Sequence, residues 1–230
     1  MRISVVGTTG SGKTTLARAL SAQLGLPYIE MDALNWQAGW RDLSRSDPEE
    51  FVRRVTVAIA PDAWVLDSAY GLVRDLVWQR ATHLIWLDYD RPIIMFRVIR
   101  RSLIRAALRT ELWAGNRERW SHMLRPSHPI RWAWSTGDRR RKDFEERIER
   151  QDYAHLVVLR LRRPREAEQL LRQLRNAAGA EKPSALTQTR VGAAAGLGGV
   201  PPGAALHTGL EALGERKGGR YELGSTLTIY

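Results

Sequence analysis

Short, almost wholly apolar runs alternate along this chain with segments in which apolar residues recur every three to four positions. The first run, 2–7, is β-branched and predicts a strand; Leu16, Ala19, Leu20 and Leu24 then recur at helical spacing and predict a helix over 13–24. The pattern repeats. A strand is predicted at 27–31, ending at Asp32, and a polar, Trp-bearing loop at 35–46. The series Ser46, Asp47, Pro48, Glu49, Glu50 marks a helix start, and that helix runs to about 60. Further strands are predicted at 64–67, 83–88 and 155–159. Helices are expected at 71–80, at 91–111, and from Pro164 with Ala167, Leu170, Leu171 and Leu174 on one face. Residues 112–142 read as irregular. Strands alternating with helices imply an α/β fold with a mostly parallel five-stranded sheet. Runs apolar on every residue imply burial of both sheet faces, a three-layer sandwich.

Between the first strand and the first helix stands Gly7-Thr8-Thr9-Gly10-Ser11-Gly12-Lys13-Thr14, followed by Thr15. It fits G-x-x-x-x-G-K-[ST], the P-loop, and has the required strand before it and helix after it. Its glycines let backbone N–H groups turn inward toward phosphate oxygens, and the helix adds the positive end of its dipole. On this reading Gly7 to Thr15 bind ATP, Lys13 reaches the β- and γ-phosphates, and the Thr14 hydroxyl ligates Mg²⁺. The fold class sharpens to a P-loop NTPase sandwich.

Composition reinforces the motif. Only four of the 36 basic residues are lysines, so Lys13 stands where a compact ammonium is needed in a chain that otherwise favours arginine. A formal charge of +11 points to anionic partners: nucleotides, phosphorylated substrates or nucleic acid. The absence of cysteine excludes disulfides, thiolate catalysis and Cys-based zinc sites. The five histidines show no metal-ligand spacing. No apolar stretch approaches the ~18 residues of a membrane-crossing helix, so no membrane association is expected. The first strand begins at once, and a cleaved leader would remove the P-loop, so a cytoplasmic location is expected. From Gly179 the character changes: 11 of the 19 glycines and none of the tryptophans fall in 179–230, which is expected to be a disordered tail behind a domain at 1–178.

Ligands in parallel α/β sheets sit at the carboxyl ends of the strands, and there the P-loop, Asp32 and Asp67 converge. Asp67 closes an apolar strand at the position of a Mg²⁺-holding carboxylate; capping of the next helix is its other reading. Asp32 is placed either to bind the acceptor and take its hydroxyl proton or to cap a loop. Trp36 and Trp40 form an acceptor wall or part of the core. Asp88 ends a strand farther along the sheet and reads as structural. Arg97, Arg101, Arg105 and Arg109 lie four apart on one helix stripe, with Arg117, Arg119, Arg125, Arg131, Arg139, Arg140 and Arg141 beyond. A solvated basic face is one explanation; a lid at about 112–142 closing on a phosphoryl group, with Arg97 and Arg101 as catalytic cations, is the other.

Several of these segments resemble one family. Gly7 to Thr15, Asp32, Val65-Leu66-Asp67, Leu87 to Pro92, Arg97 to Arg101, Trp113-Ala114-Gly115-Asn116-Arg117-Glu118 and Ser127-His128-Pro129-Ile130-Arg131-Trp132 are together similar to adenylate-kinase-like proteins often labelled DNA topology modulation proteins. The resemblance covers about 1–175. It implies that Arg97 and Arg101 serve ATP and phosphoryl transfer. Where the family has Gly-Asn-Tyr after the third-strand aspartate, this chain has Ser68-Ala69-Tyr70. The Asp-Gly-Phe-Pro-Arg signature of true adenylate kinases is absent, so AMP is not supported as acceptor. The expected function is an ATP-dependent kinase passing the γ-phosphoryl group to a small molecule or nucleotide. The alternative is an ATP-dependent regulatory or nucleic-acid-associated protein without a small acceptor, suited by arginine and tryptophan in 97–141.

Overall fold

The computed structural model describes residues 1–68, 70–108, 110–117, 129–150, 152–180, 216–217, 220–223 and 227–229. Strand β1 (Arg2–Gly7) leads through the P-loop into α1 (Lys13–Leu24), then β2 (Tyr28–Glu30) and the short α2 (Met31–Asn35). A small antiparallel hairpin follows, β3 (Trp36–Gln37) and β4 (Arg41–Asp42), with α3 (Leu43–Ser46) and α4 (Pro48–Ala58) after it. Next come β5 (Trp64–Ser68), α5 (Arg74–Arg80), β6 (His83–Leu87), α6 (Arg91–Leu108), α7 (Pro129–Glu149), β7 (Val157–Leu161) and α8 (Pro164–Ala180). Three short strands, β8 (Arg216–Lys217), β9 (Arg220–Leu223) and β10 (Leu227–Ile229), complete the described chain.

The strand order is β2-β5-β1-β6-β7-β10-β9-β8. The first five strands are mutually parallel, and the last three add antiparallel at the β7 edge. The sheet alternates as a doubly covered sheet must. Ile3, Val5, Val65, Ile85, Leu87, Leu159 and Leu161 face one side, against Leu16 and Leu20 of α1 and Leu170 and Leu174 of α8. Val6, Trp64, Leu66, Leu84, Trp86 and Val158 face the other, against Phe51 and Val55 of α4, Val77 and Trp78 of α5, and Phe144 of α7. Each such large apolar side chain withdrawn from water contributes about 1.5–3 kcal/mol. The α/β three-layer expectation therefore holds.

Local signals set the helix ends. The Asp47 carboxylate accepts the Glu50 N–H at 3.2 Å, with Pro48 at the first helical position. Gly25 ends α1 in the left-handed region at φ 64.

Three expectations need correction. The loop at 35–46 contains a hairpin and two short helices, because Asn35 organises it: its Nδ2 donates to Asp42 at 3.0 Å and its Oδ1 accepts the Ser44 N–H at 2.8 Å. The expected irregular stretch 112–142 is helical from Pro129 onward, a proline being favoured in the first turn and arginine being a good helix former; 118–128 lie outside the described residues. The fifth strand runs 157–161 and so includes Arg160. The tail expectation falls mostly on 181–215, outside the described residues, while its end carries β8 to β10.

Arg160 explains that strand shift. Its guanidinium donates to Asp88 from Nε at 2.9 Å and from Nη2 at 2.5 Å, to Glu145 at 2.5 Å, and lies 4.2 Å from the Trp86 ring centroid. Arg141 of α7 also donates to Asp88, at 2.6 Å. Asp88 and Arg160 are both about 7% exposed, so this is a buried ion cluster joining β6, β7 and α7. Asp88 is thus a structural residue. Asp88→Ala is expected to cost about 3–5 kcal/mol by stranding buried guanidinium charge, and at about 2–4 °C per kcal/mol to lower Tm by about 10 °C. Differential scanning calorimetry checks this; the double change Asp88→Leu, Arg160→Met should lose much less.

Candidate active site

The register of β1, β2 and β5 brings three chain segments to one sheet edge. Glu30 of β2 and Val5 of β1 both pair with Asp67 of β5, so the P-loop, the start of α2 and the end of β5 are neighbours. The P-loop glycines are obligatory here. Gly10 stands at φ 86, and a Cβ on it would come within 2.2 Å of Val98 of α6; Gly7 stands at φ 147, with Leu87 O only 2.7 Å from such a Cβ. Close packing against β6 and α6 holds the loop around a concavity. Ser11 Oγ is buried there with no hydrogen-bond partner among the described residues, a polar atom suited to a phosphate oxygen.

Lys13 Nζ donates to Thr8 O at 3.0 Å. Its pKa is lowered to about 8, first because burial desolvates the ammonium. Arg140 and Arg101 add repulsion; Asp67 and Asp32 act in the opposite direction. Lys13 is therefore the point where both carboxylates and both arginines meet. Nucleotide phosphates would reverse the shift by supplying negative charge. Above about pH 8, where free Lys13 is mostly neutral, ATP binding is expected to take up close to one proton, and near pH 7 almost none. Calorimetry in buffers of different ionisation enthalpy reads this uptake, and Lys13→Ala should abolish it.

Thr14 Oγ1 donates to Asp67 Oδ2 at 2.5 Å. The Tyr28 hydroxyl donates to the same oxygen at 3.1 Å, and the Met31 N–H to Asp67 Oδ1 at 3.2 Å. Asp67 is thereby fixed beside Thr14 rather than turned to cap a following helix. Burial raises the Tyr28 hydroxyl pKa, so it remains a donor. Asp32, in the first turn of α2, accepts the Tyr70 hydroxyl at 2.7 Å. Burial pushes the Asp32 carboxyl upward, an effect Tyr70 partly opposes. Thr14, Asp67 and Asp32 offer hard oxygen donors of the type Mg²⁺ prefers. Among the described residues no group of three or more His, Cys, Asp or Glu could hold a metal ion.

A cleft of about 2570 Å³ runs over these residues. Arg97 and Arg101 line it from α6, Arg139 and Arg140 from α7, and Arg74 from α5. Arg97 donates to Ser11 O at 3.0 Å and stacks 5.4 Å from the Tyr89 ring, so it already touches the P-loop. Arg109, Arg119 and Arg125 lie outside the described residues. Trp36 and Trp40 pack edge to face, centroids 5.6 Å apart, and line the cleft. Both are only partly buried, so neither belongs to the core. Sequence reasoning missed Tyr28 and Arg74, and for Arg74 there is no local sign. The two-residue offset of Tyr28 from Glu30, which places both on one face of an edge strand, is the signal available for the tyrosine.

Residues 3–81 match the model of the ATPase family associated with various cellular activities (AAA). Shikimate kinase from Symbiobacterium thermophilum is 32% identical over 121 residues, 47% of this chain and 69% of that one. A probable gluconokinase from Schizosaccharomyces pombe is 48% identical over 44 residues, 19% of this chain and 23% of that one. Among solved structures, shikimate kinase from Acinetobacter baumannii in complex with shikimate is 18% identical at a TM-score of 0.45, covering 80% of this chain and 95% of that chain. No described helix is long and apolar enough to cross a membrane. With a P-loop, an acid-anchored threonine and these kinase relatives, the chain is an ATP-dependent phosphotransferase that belongs to the family of P-loop kinases containing shikimate kinase.

Proposed function

We propose that this chain transfers the γ-phosphoryl group of ATP to a hydroxyl of a small anionic acceptor bound between Asp32 and the Trp36–Trp40 pair. The observation that carries the reading is one cleft lined by the P-loop with Lys13 and Thr14, by Asp32 and Asp67, and by Arg97, Arg101 and Arg140. Backbone N–H groups of Gly10 to Thr15 would cradle the phosphates, with Lys13 on the β- and γ-oxygens. Thr14 and Asp67 would hold Mg²⁺, which neutralises charge on the phosphate oxygens when bound. Asp32, whose pKa burial raises above the ordinary aspartate value, would in its ionised form accept the proton of the attacking hydroxyl.

Arg74, Arg139 and Arg140 line the cleft together with Asp143, which offsets part of their charge, and this excess of cations favours an anionic acceptor. A small hydroxylated carboxylate or phosphate fits this pole of the cleft. Shikimate and gluconate, after which the relatives are named, are acids of this kind and belong in the first acceptor panel, with nucleoside monophosphates. The Gly115-Asn116-Arg117-Glu118 and His128-Pro129-Ile130-Arg131-Trp132 motifs support a place near the adenylate-kinase-like proteins often labelled DNA topology modulation proteins. We also propose a cytoplasmic location.

Arg97 and Arg101 separate this reading from nucleic-acid association. If they stabilise the transferring phosphoryl group, alanine at either position slows ATP turnover by about 10³-fold, the scale of arginine stabilisation in related chemistry. If they bind a polynucleotide, turnover stays intact and the salt slope of DNA or RNA binding falls by about one per lost phosphate contact. Coupled ADP release across the acceptor panel, run beside a salt titration of polynucleotide binding, measures both. Unchanged turnover with an altered salt slope overturns the kinase assignment of the two arginines.

A further inference from the structure

Asn116 is only 5% exposed and belongs to the turn that follows α6. Its carboxamide spans two segments distant in sequence. Oδ1 accepts the Trp40 N–H at 2.9 Å, and Nδ2 donates to Gln37 O and to Trp113 O, both at 2.8 Å. Its own carbonyl accepts the Leu112 N–H at 2.7 Å, closing a turn that Glu111 and Arg117 brace from outside at 2.9 Å. A second fastening lies alongside, where Trp113 Nε1 donates to Glu30 Oε1 at 2.9 Å. The turn at 111–117 is thus fixed to the hairpin at 36–42 and to the end of β2.

Both fastened segments hold unfavourable backbone. Trp40 stands at φ 60 and Ala114 at φ 54, neither a glycine, beside Gly39 at φ 69 and Gly115 at φ 75. Such left-handed side-chain-bearing residues persist only where their surroundings over-determine them. Here the Asn116 carboxamide is the shared surrounding: it bonds the backbone of Trp40 directly and that of Trp113, next to Ala114. An asparagine is the residue for this task, since one group must accept from an N–H and donate to two carbonyls.

The elements on either side give the contact a consequence. α6 carries Arg97 to the P-loop and Arg101 near Lys13, then runs into this turn. The hairpin carries Trp36 and Trp40 and follows directly on α2 with Asp32. We infer that Asn116 is a positioning residue that couples nucleotide binding at α6 to the order of the Trp36–Trp40 hairpin. The inference rests on the kinase reading, which makes that hairpin the acceptor wall.

Hydrogen exchange of residues 36–42, read by mass spectrometry with and without Mg²⁺ and AMP-PNP, tests it. In the wild type the nucleotide is expected to slow exchange there about tenfold, within the usual range of coupling between sites. In Asn116→Ala the slowing should fall below about twofold, while AMP-PNP affinity by calorimetry stays within about threefold of wild type. Asn116→Ser adds no charge and keeps a hydroxyl able to replace one of the three carboxamide hydrogen bonds. It should show intermediate coupling, and it carries the test if the alanine variant does not fold. Equal nucleotide-dependent slowing in wild type and variants overturns the inference, as does a wild type that binds AMP-PNP without any slowing at 36–42. A wild type that fails to bind AMP-PNP overturns the kinase reading and the inference with it.

Discussion

Alanine at position 13 is expected to reduce phosphoryl transfer by at least about 10²–10³-fold, the cost of removing one preorganised charge-stabilising donor. Lys13 Nζ is the cation at the centre of the site, with Asp67, Asp32, Arg101 and Arg140 all close enough to shift its pKa. Its charge matters most as the γ-phosphoryl group leaves, so kcat should fall more than nucleotide affinity. The fold should not suffer. The ammonium is desolvated, and its one direct hydrogen bond among the described residues is to Thr8 O within the loop itself, so Tm should stay within a few degrees of wild type. A folded variant turning over at the wild-type rate would remove Lys13 from the chemistry.

Asp32→Asn carries the second large effect. The substitution keeps an oxygen to accept the Tyr70 hydroxyl but removes the base, and transfer to the acceptor should fall by about 10²–10⁴-fold. The ATP KM should change little if, as proposed, Asp32 serves the acceptor. The pH profile gives an independent check. A base works only when ionised, so activity is lost as pH falls through its folded pKa, which burial places above the ordinary aspartate value. The acid limb should therefore lie above that of a solvent-exposed aspartate and vanish in Asp32→Asn. Tyr70→Phe removes a hydrogen bond that lowers the Asp32 pKa and should move the limb to higher pH. Equal, small losses in both variants with an unchanged acid limb would make Asp32 a loop-capping residue.

What could be read from the chain itself follows from the range of the interactions. The P-loop is local: eight consecutive residues, flanked by a strand and a helix, specify it. Asp32 and Asp67 were legible because apolar runs end at them and parallel sheets place such ends together. The contacts that give those residues their geometry were not legible. Tyr28 reaches Asp67 across 39 residues, Tyr70 reaches Asp32 across 38, and Asn116 reaches Gln37 across 79. No local periodicity encodes such pairings. Arg160 misled for a related reason: a charged residue inside an apolar run reads as its end, and only Asp88 and Glu145, 72 and 15 residues away, make its burial tolerable. The helix from Pro129 was hidden because arginine and tryptophan suggest an exposed, irregular segment, although arginine propagates helices well. The stripe through Arg97 and Arg101 shows the converse: helical spacing found it, but only the approach of Val98 to Gly10 and of Arg97 to Ser11 O places it on the P-loop.

The reaction proposed for this chain is transfer of a phosphoryl group from ATP to a small anionic alcohol. Incubation of the full chain with Mg²⁺ and ATP labelled with ³²P in the γ-position, across a panel of hydroxylated carboxylates, phosphorylated alcohols and nucleoside monophosphates, tests it most directly. The expected result is label recovered in one acceptor class, bound to acceptor rather than released as inorganic phosphate, and absent with Lys13→Ala. Label found only as inorganic phosphate with every acceptor, at a rate raised by DNA or RNA, would contradict it.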